Sequence, residues 1–220
     1  VERLSGLPLD EYIDTNILKP LRMNDTFFEV PPTKRDRFVQ NHFINPETGS
    51  LVNADFAPAP YGYRKGVALS DYFNVSLISG GAGLVSTAMD YARFAEMLRR
   101  GGTLDGARIL GPKSIAFMTK NHLSEPSMHA AWEQMPTPDI GRPGFGFGLG
   151  FGVVTDAAAI GVLGSDGEYN WGGAAGTIFW VDPTEELVVV SLIQLMQSPW
   201  PLRADVKVAV YQALTEIYED

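Results

Sequence analysis

The run Glu168-Tyr169-Asn170-Trp171-Gly172-Gly173-Ala174-Ala175-Gly176-Thr177-Ile178-Phe179-Trp180-Val181-Asp182-Pro183 constrains the fold more than any other stretch. It reads as a strand entering a glycine cluster, then a second extended segment closed by Asp-Pro. Gly172, Gly173 and Gly176 lack a Cβ, so another group can approach the backbone closely there. Spacing alone leaves two readings open. One is a packed sheet with glycine bulges; the other is a strand end whose free N–H groups receive a developing negative charge.

The flanking segments carry the same strand signal. From Phe145 to Val154 large apolar residues alternate with glycine, which predicts a strand with something packed closely on its glycine face. Leu187 to Leu195 is apolar and β-branched, as expected of a strand buried on both faces. Short connections predict an antiparallel meander. A helix over Leu202 to Tyr218, with Val206, Val210, Leu214 and Ile217 on one side, covers it. Strands followed by a covering helix make this half α+β.

The preceding residues are helical and loop-rich. Leu9, Ile13, Ile17 and Leu18 recur at helical spacing, and Pro20 ends that helix. Periodicity fades from Pro31 to about Leu69, as expected of a functional loop or lid. Phe43, Phe56, Tyr61, Tyr63, Tyr72 and Phe73 could line a cleft there or pin the loop to the core. Gly80-Gly81-Ala82-Gly83 reads as a packed turn, since no P-loop pattern and no basic residue accompanies it. Ser86 or Thr87 caps the next helix, Tyr91, Phe94, Ala95 and Leu98 share its apolar face, and Gly101-Gly102 stop it. A hairpin with Asp105-Gly106 at its tip follows, then a helix from Pro112 to Thr119. Leu123 to Pro143 is a polar, proline-rich connection. The expected division is a helical and loop-rich region over 1–143 and a strand-and-helix region over 144–220.

Composition excludes several functions. The net charge is −9, with 17 basic and 26 acidic residues, and this argues against a nucleic-acid partner. The adjacent basic pairs Lys34-Arg35 and Arg99-Arg100 read as solvated positions. The absence of cysteine removes disulfides, thiolate nucleophiles and cysteine-bound metals, and fits a reducing compartment without fixing the localisation. No apolar run reaches the roughly 20 residues that span a bilayer, so no membrane association is expected. Val1 to Gly6 reads as the last turn of a helix, and the chain is expected to begin partway through a longer sequence.

A nucleophile is not evident. There is no G-x-S-x-G elbow, and no serine has a lysine three residues later. His42, His122 and His129 sit in loop-like context and read as surface histidines; no metal and no cofactor is expected. Glu125 and Glu133 could pair, but their spacing does not select them.

Three stretches resemble the serine β-lactamase-like superfamily, closest to class C β-lactamases and family VIII carboxylesterases. Ile17-Leu18-Lys19-Pro20-Leu21-Arg22-Met23-Asn24-Asp25-Thr26 resembles the family's I-x-x-P-L-G-M-x-x-T segment, with Arg22 where glycine is usual. Gly80 to Asp90 resembles its G-G-L-x-S-T-x-x-D segment. Trp171-Gly172-Gly173 resembles its third active-site box, Lys-Thr-Gly in β-lactamases and often Trp-Gly-Gly in esterases. Tyr72-Phe73-Asn74 fits the family's Tyr-x-Asn letters out of order and is read as coincidence.

The resemblance implies a partial β-lactamase-like α+β fold and acyl transfer through a serine acyl-enzyme. Trp171, Gly172 and Gly173 would form the box strand, with the Ala174 N–H as an oxyanion donor. Tyr169, Tyr61 and Tyr63 are further candidates for substrate contact. The S-x-x-K and Tyr-x-Asn boxes would lie before Val1, on an N-terminal portion carrying the nucleophile, and this chain alone is expected to be inactive. Trp171 in place of lysine favours an ester or amide substrate without a carboxylate, hence a carboxylesterase. β-Lactamase, D-aminopeptidase and acyltransferase activities stay open, as does an inactive binding or scaffold module.

Overall fold

The computed structural model describes residues 1–53, 72–81, 83–124, 143–196 and 198–218. Tyr61, Tyr63, Glu125, His129 and Glu133 lie outside these described residues. The chain packs as two compact units. Unit one comprises Val1–Arg93, Ala174–Thr177 and Leu192–Pro199, and unit two comprises Phe94–Gly173, Ile178–Ser191 and Trp200–Asp220.

Unit one begins with a helical turn over Glu2–Ser5, which Gly6 stops at φ 72°. The helix over Leu9–Ile13 widens into a π-turn over Asp14–Leu18. Leu18, Leu21, Met23, Phe28 and Val30 form its core. The stretch after Pro31, expected to be irregular, contains two ordered pieces. Pro32–Arg37 is a 3-10 helix. β1 (His42–Ile44) pairs antiparallel with β2 (Leu51–Asn53), so His42 lies in a strand and not in a loop. The Asn45–Ser50 turn connecting them was hidden because strands this short carry almost no alternation.

In unit two, β3 (Thr103–Leu104) and β4 (Ala107–Arg108) form the expected hairpin. Asp105 and Gly106 both have positive φ, 48° and 83°, as the tight turn requires. Among the described residues the main sheet has five strands, in the order β5 (Phe145–Phe147), β6 (Gly152–Val154), β7 (Tyr169–Gly172), β8 (Ile178–Asp182) and β9 (Leu187–Ser191). Every neighbouring pair is antiparallel, a meander. β8 is buried at all five positions and is the spine of the core.

Four expectations change here. Phe145 to Val154 is a hairpin and not one strand: Gly148 N–H donates to the Phe151 carbonyl at 2.7 Å, and Gly150 turns at φ 95°. A Cβ on Gly148 would collide with the Met118 carbonyl oxygen, so the close approach expected of these glycines is present. β9 ends at Ser191, is half-buried throughout, and is the edge strand of the sheet, paired with β8 alone among the described residues. The terminal helix stops at Gln212, leaving Ile217 66% exposed. Arg99 is also no solvated residue: its side chain is 18% exposed and paired with Glu96 at 2.7 Å.

The helix Ala88–Arg99 has the predicted cap, with Thr87 Oγ1 accepting from Asp90 N–H at 3.2 Å. Gly101 and Gly102 terminate it, their N–H groups returning to the Leu98 and Met97 carbonyls.

Candidate active-site strand

β7 presents alternate residues to opposite sides of the sheet. Tyr169 is 2% exposed and packs against Phe151 with ring centroids 5.4 Å apart. Burial pushes its phenol well above the usual range. Tyr169 therefore occupies a core position. Trp171 is half-buried and meets Phe147 edge-to-face at 5.0 Å. It is the aromatic on this strand that keeps an accessible surface.

The β7–β8 ladder closes at Gly172↔Ile178. Beyond it Gly173 and Ala174 are exposed, and among the described residues nothing accepts from the Ala174 N–H. The turn is held from its far side. Ala175 carbonyl accepts from Leu195 N–H at 2.9 Å, and Gly176 lies at φ 84°. A Cβ there would meet Ile193 Cδ1 at 2.5 Å, so only glycine fits without a shift. The Leu192–Met196 segment is itself held by β1: His42 N–H donates to the Gln194 carbonyl, and Met196 N–H to the His42 carbonyl. Nothing in the sequence signalled this brace. A free backbone donor at the end of a strand, fixed by a braced glycine turn, is suited to receive negative charge.

Two of the resembling segments meet in unit one. Thr26 Oγ1 lies 2.7 Å from Ser86 Oγ and donates to Asp90 Oδ2 at 2.9 Å, and Asp90 also accepts from Asp25 N–H at 2.7 Å. The segment ending at Thr26 and the segment ending at Asp90 are thus hydrogen-bond partners. Arg22, standing where the family usually has glycine, has φ 55°. The nearby pocket lined by Asp25, Lys34, Arg37, Ser86 and Thr87 offers no free charge. Arg37 and then Lys34 bond to Asp25 and hold its carboxyl down at about 2. Among the described residues no cluster of acidic and histidine side chains is arranged to hold a metal, and His122 is tied to the Phe117 carbonyl at 2.7 Å.

The main sheet carries a second polar group at its other end. Glu168, just before β7, and Asp182, the last residue of β8, are both fully buried. Lys207 and Tyr211 of the terminal helix reach them.

Comparison with known proteins shows what the chain resembles. Protein Rv1367c of Mycobacterium tuberculosis is 34% identical over 200 residues, covering 88% of this chain and 45% of the relative. Among solved structures, EstCE1, a hydrolase with promiscuous acyltransferase activity, is 25% identical with a TM-score of 0.71. That match covers 94% of this chain and 51% of EstCE1. A variant of simvastatin synthase (LovD) from Aspergillus terreus, 24% identical with a TM-score of 0.76, covers 96% of this chain and 52% of its own and bears on the fold alone. The chain thus spans about half the length of the proteins it resembles. The Beta-lactamase family matches over residues 1–213, and the chain belongs to that family.

Proposed function

We propose that these residues form the C-terminal portion of a serine hydrolase of carboxylesterase type and supply its oxyanion strand. The observation that carries this reading is the N–H of the exposed residue Ala174, without an acceptor among the described residues and followed by the braced Gly176 turn. In acyl transfer, such a donor stabilises the tetrahedral oxyanion by about 3–4 kcal/mol. The similarity to EstCE1 supports ester hydrolysis, and that protein's acyltransferase activity makes transfer to an alcohol a neighbouring outcome of the same acyl-enzyme. Trp171 supports an uncharged substrate, because an indole attracts no carboxylate where the resembled β-lactamase box has lysine.

The nucleophile is assigned to an N-terminal portion, since no serine of this sequence stands in an S-x-x-K box. A fluorophosphonate probe and p-nitrophenyl butyrate, applied to this chain and to the longest native form, test the assignment. The longest form should label and turn over the ester, and the 220-residue chain should do neither. A long form that is inert in both assays overturns the hydrolase reading and leaves a binding module. Turnover of a β-lactam or a D-amino-acid peptide in preference to the ester would move the substrate class.

A further inference from the structure

The Glu168–Asp182 cluster has no part in that chemistry, yet its hydrogen bonds do not close with ordinary charges. Tyr211 Oη lies 2.6 Å from Asp182 Oδ2 and 3.0 Å from Glu168 Oε2. A phenol has one hydrogen and can donate to only one of them. Were both carboxylates ionised, the other contact would set two lone pairs against each other in a buried site. Charge points the same way. Glu168 and Asp182 are both fully buried, and Lys207, its side chain 12% exposed, is the cation facing them among the described residues. Lys207 Nζ lies 2.8 Å from each Glu168 oxygen. The remaining polar neighbours are neutral. Asn170 Nδ2 approaches Glu168 Oε1 at 3.3 Å, and the Thr184 and Glu185 N–H groups donate to Asp182 Oδ1. Two carboxylates against one ammonium leave an uncompensated buried negative charge.

We propose that Glu168 and Asp182 hold one proton between them at neutral pH, donated onto Tyr211 Oη, so that the cluster is a closed and electrically neutral hydrogen-bond chain. One carboxylic acid donates to the phenol, the phenol donates to the other carboxylate, and Lys207 balances the single remaining charge. Burial, more than any other influence, holds the Glu168 carboxyl above its ordinary 4.5, and burial likewise keeps the Tyr211 phenol protonated. The terminal helix is thereby fastened to β7 and β8 by groups that are satisfied only while the proton stays.

Infrared spectra of the protein with isotope-labelled carboxyl side chains test this. The wild-type protein should show a carboxylic acid signal at neutral pH. Glu168→Gln and Asp182→Asn should each remove it, because either amide supplies the missing N–H donor to Tyr211 and leaves one carboxylate for Lys207. Each variant should also lose one proton's worth of pH dependence. In the wild type the folded state holds a proton that the unfolded chain has lost, so stability should fall about tenfold in the unfolding equilibrium per unit rise in pH between 4.5 and the raised folded value, and this fall should be absent in either variant. A wild-type spectrum without the acid signal at neutral pH overturns the proposal even if a variant fails to fold, and so does a signal that survives in either folded variant.

Discussion

At the scale of single residues, backbone conformation sets the clearest expectations. Arg22 holds φ 55°, a region that strains an L-residue by about 1–2 kcal/mol. Glycine would remove the strain while adding about 0.5–1 kcal/mol of unfolded-state entropy. Arg22→Gly should therefore raise stability by up to about 1.5 kcal/mol, read as a higher thermal midpoint; a lower one would show that the side chain contributes more than its backbone strain costs. Gly176 has the opposite sign. Its positive φ and the 2.5 Å approach to Ile193 predict a loss of about 1–3 kcal/mol for Gly176→Ala in urea unfolding.

Asp25 adds a pH dependence. Its carboxyl, lowered from 3.8 to about 2 by Arg37 and then Lys34, favours the folded state fully above 3.8 and progressively less as pH falls through about 2. Asp25→Asn should flatten acid unfolding in that window, and an unchanged acid limb would rule the pair out as a contributor. The letters of Thr26, Ser86 and Asp90 were legible as family segments, but their hydrogen bonds were not. They join residues sixty or more positions apart, and no local pattern encodes such a pairing.

At the scale of elements, the sequence reads well wherever one periodicity runs undisturbed. The capped helix Ala88–Arg99, the Asp105-Gly106 hairpin and the β7–β8 pair all lie close to their expected places. It reads badly where a pattern crosses a turn. The large-apolar and glycine alternation of Phe145 to Val154 continues through the Gly148–Phe151 reversal, because glycine serves both a strand face and a turn. The β1–β2 hairpin and the brace on Ala175 escape notice for another reason: they depend on which distant backbone lies alongside.

β9 carries the element-scale prediction. It pairs with β8 alone among the described residues, and its half-buried run Leu187-Val188-Val189-Val190 presents an apolar edge that soluble proteins rarely leave bare. If the N-terminal portion of the proposal completes the sheet there, the β9 amides directed away from β8 should exchange rapidly in the isolated chain. They should become protected when that portion is present. Equal protection in both samples would place the partner elsewhere.

At the scale of the whole molecule, the chain covers 45% of a curated relative and 51% of EstCE1, and the proposed hydrolase activity is assigned to a longer form. The decisive substitution must then be made in a form that carries the nucleophile. Ala174 is suited to it because the proposed role lies in its backbone N–H, which a side-chain change would leave intact. Ala174→Pro deletes the N–H. Ala174→Ser at the same exposed position keeps it and controls for the side chain. Loss of one oxyanion donor lowers kcat by about 10²–10³-fold, because the bond strengthens as negative charge develops, while KM for p-nitrophenyl butyrate should change little. Fluorophosphonate labelling should slow in parallel, since its attack passes through a similar oxyanion. Proline also restrains the braced turn, and a distorted turn would weaken substrate binding along with turnover. A selective fall in kcat with Ala174→Ser near wild type supports the oxyanion strand; a variant whose kcat is unchanged removes Ala174 from the mechanism and returns the Trp171-Gly172-Gly173 run to an ordinary glycine-rich strand end.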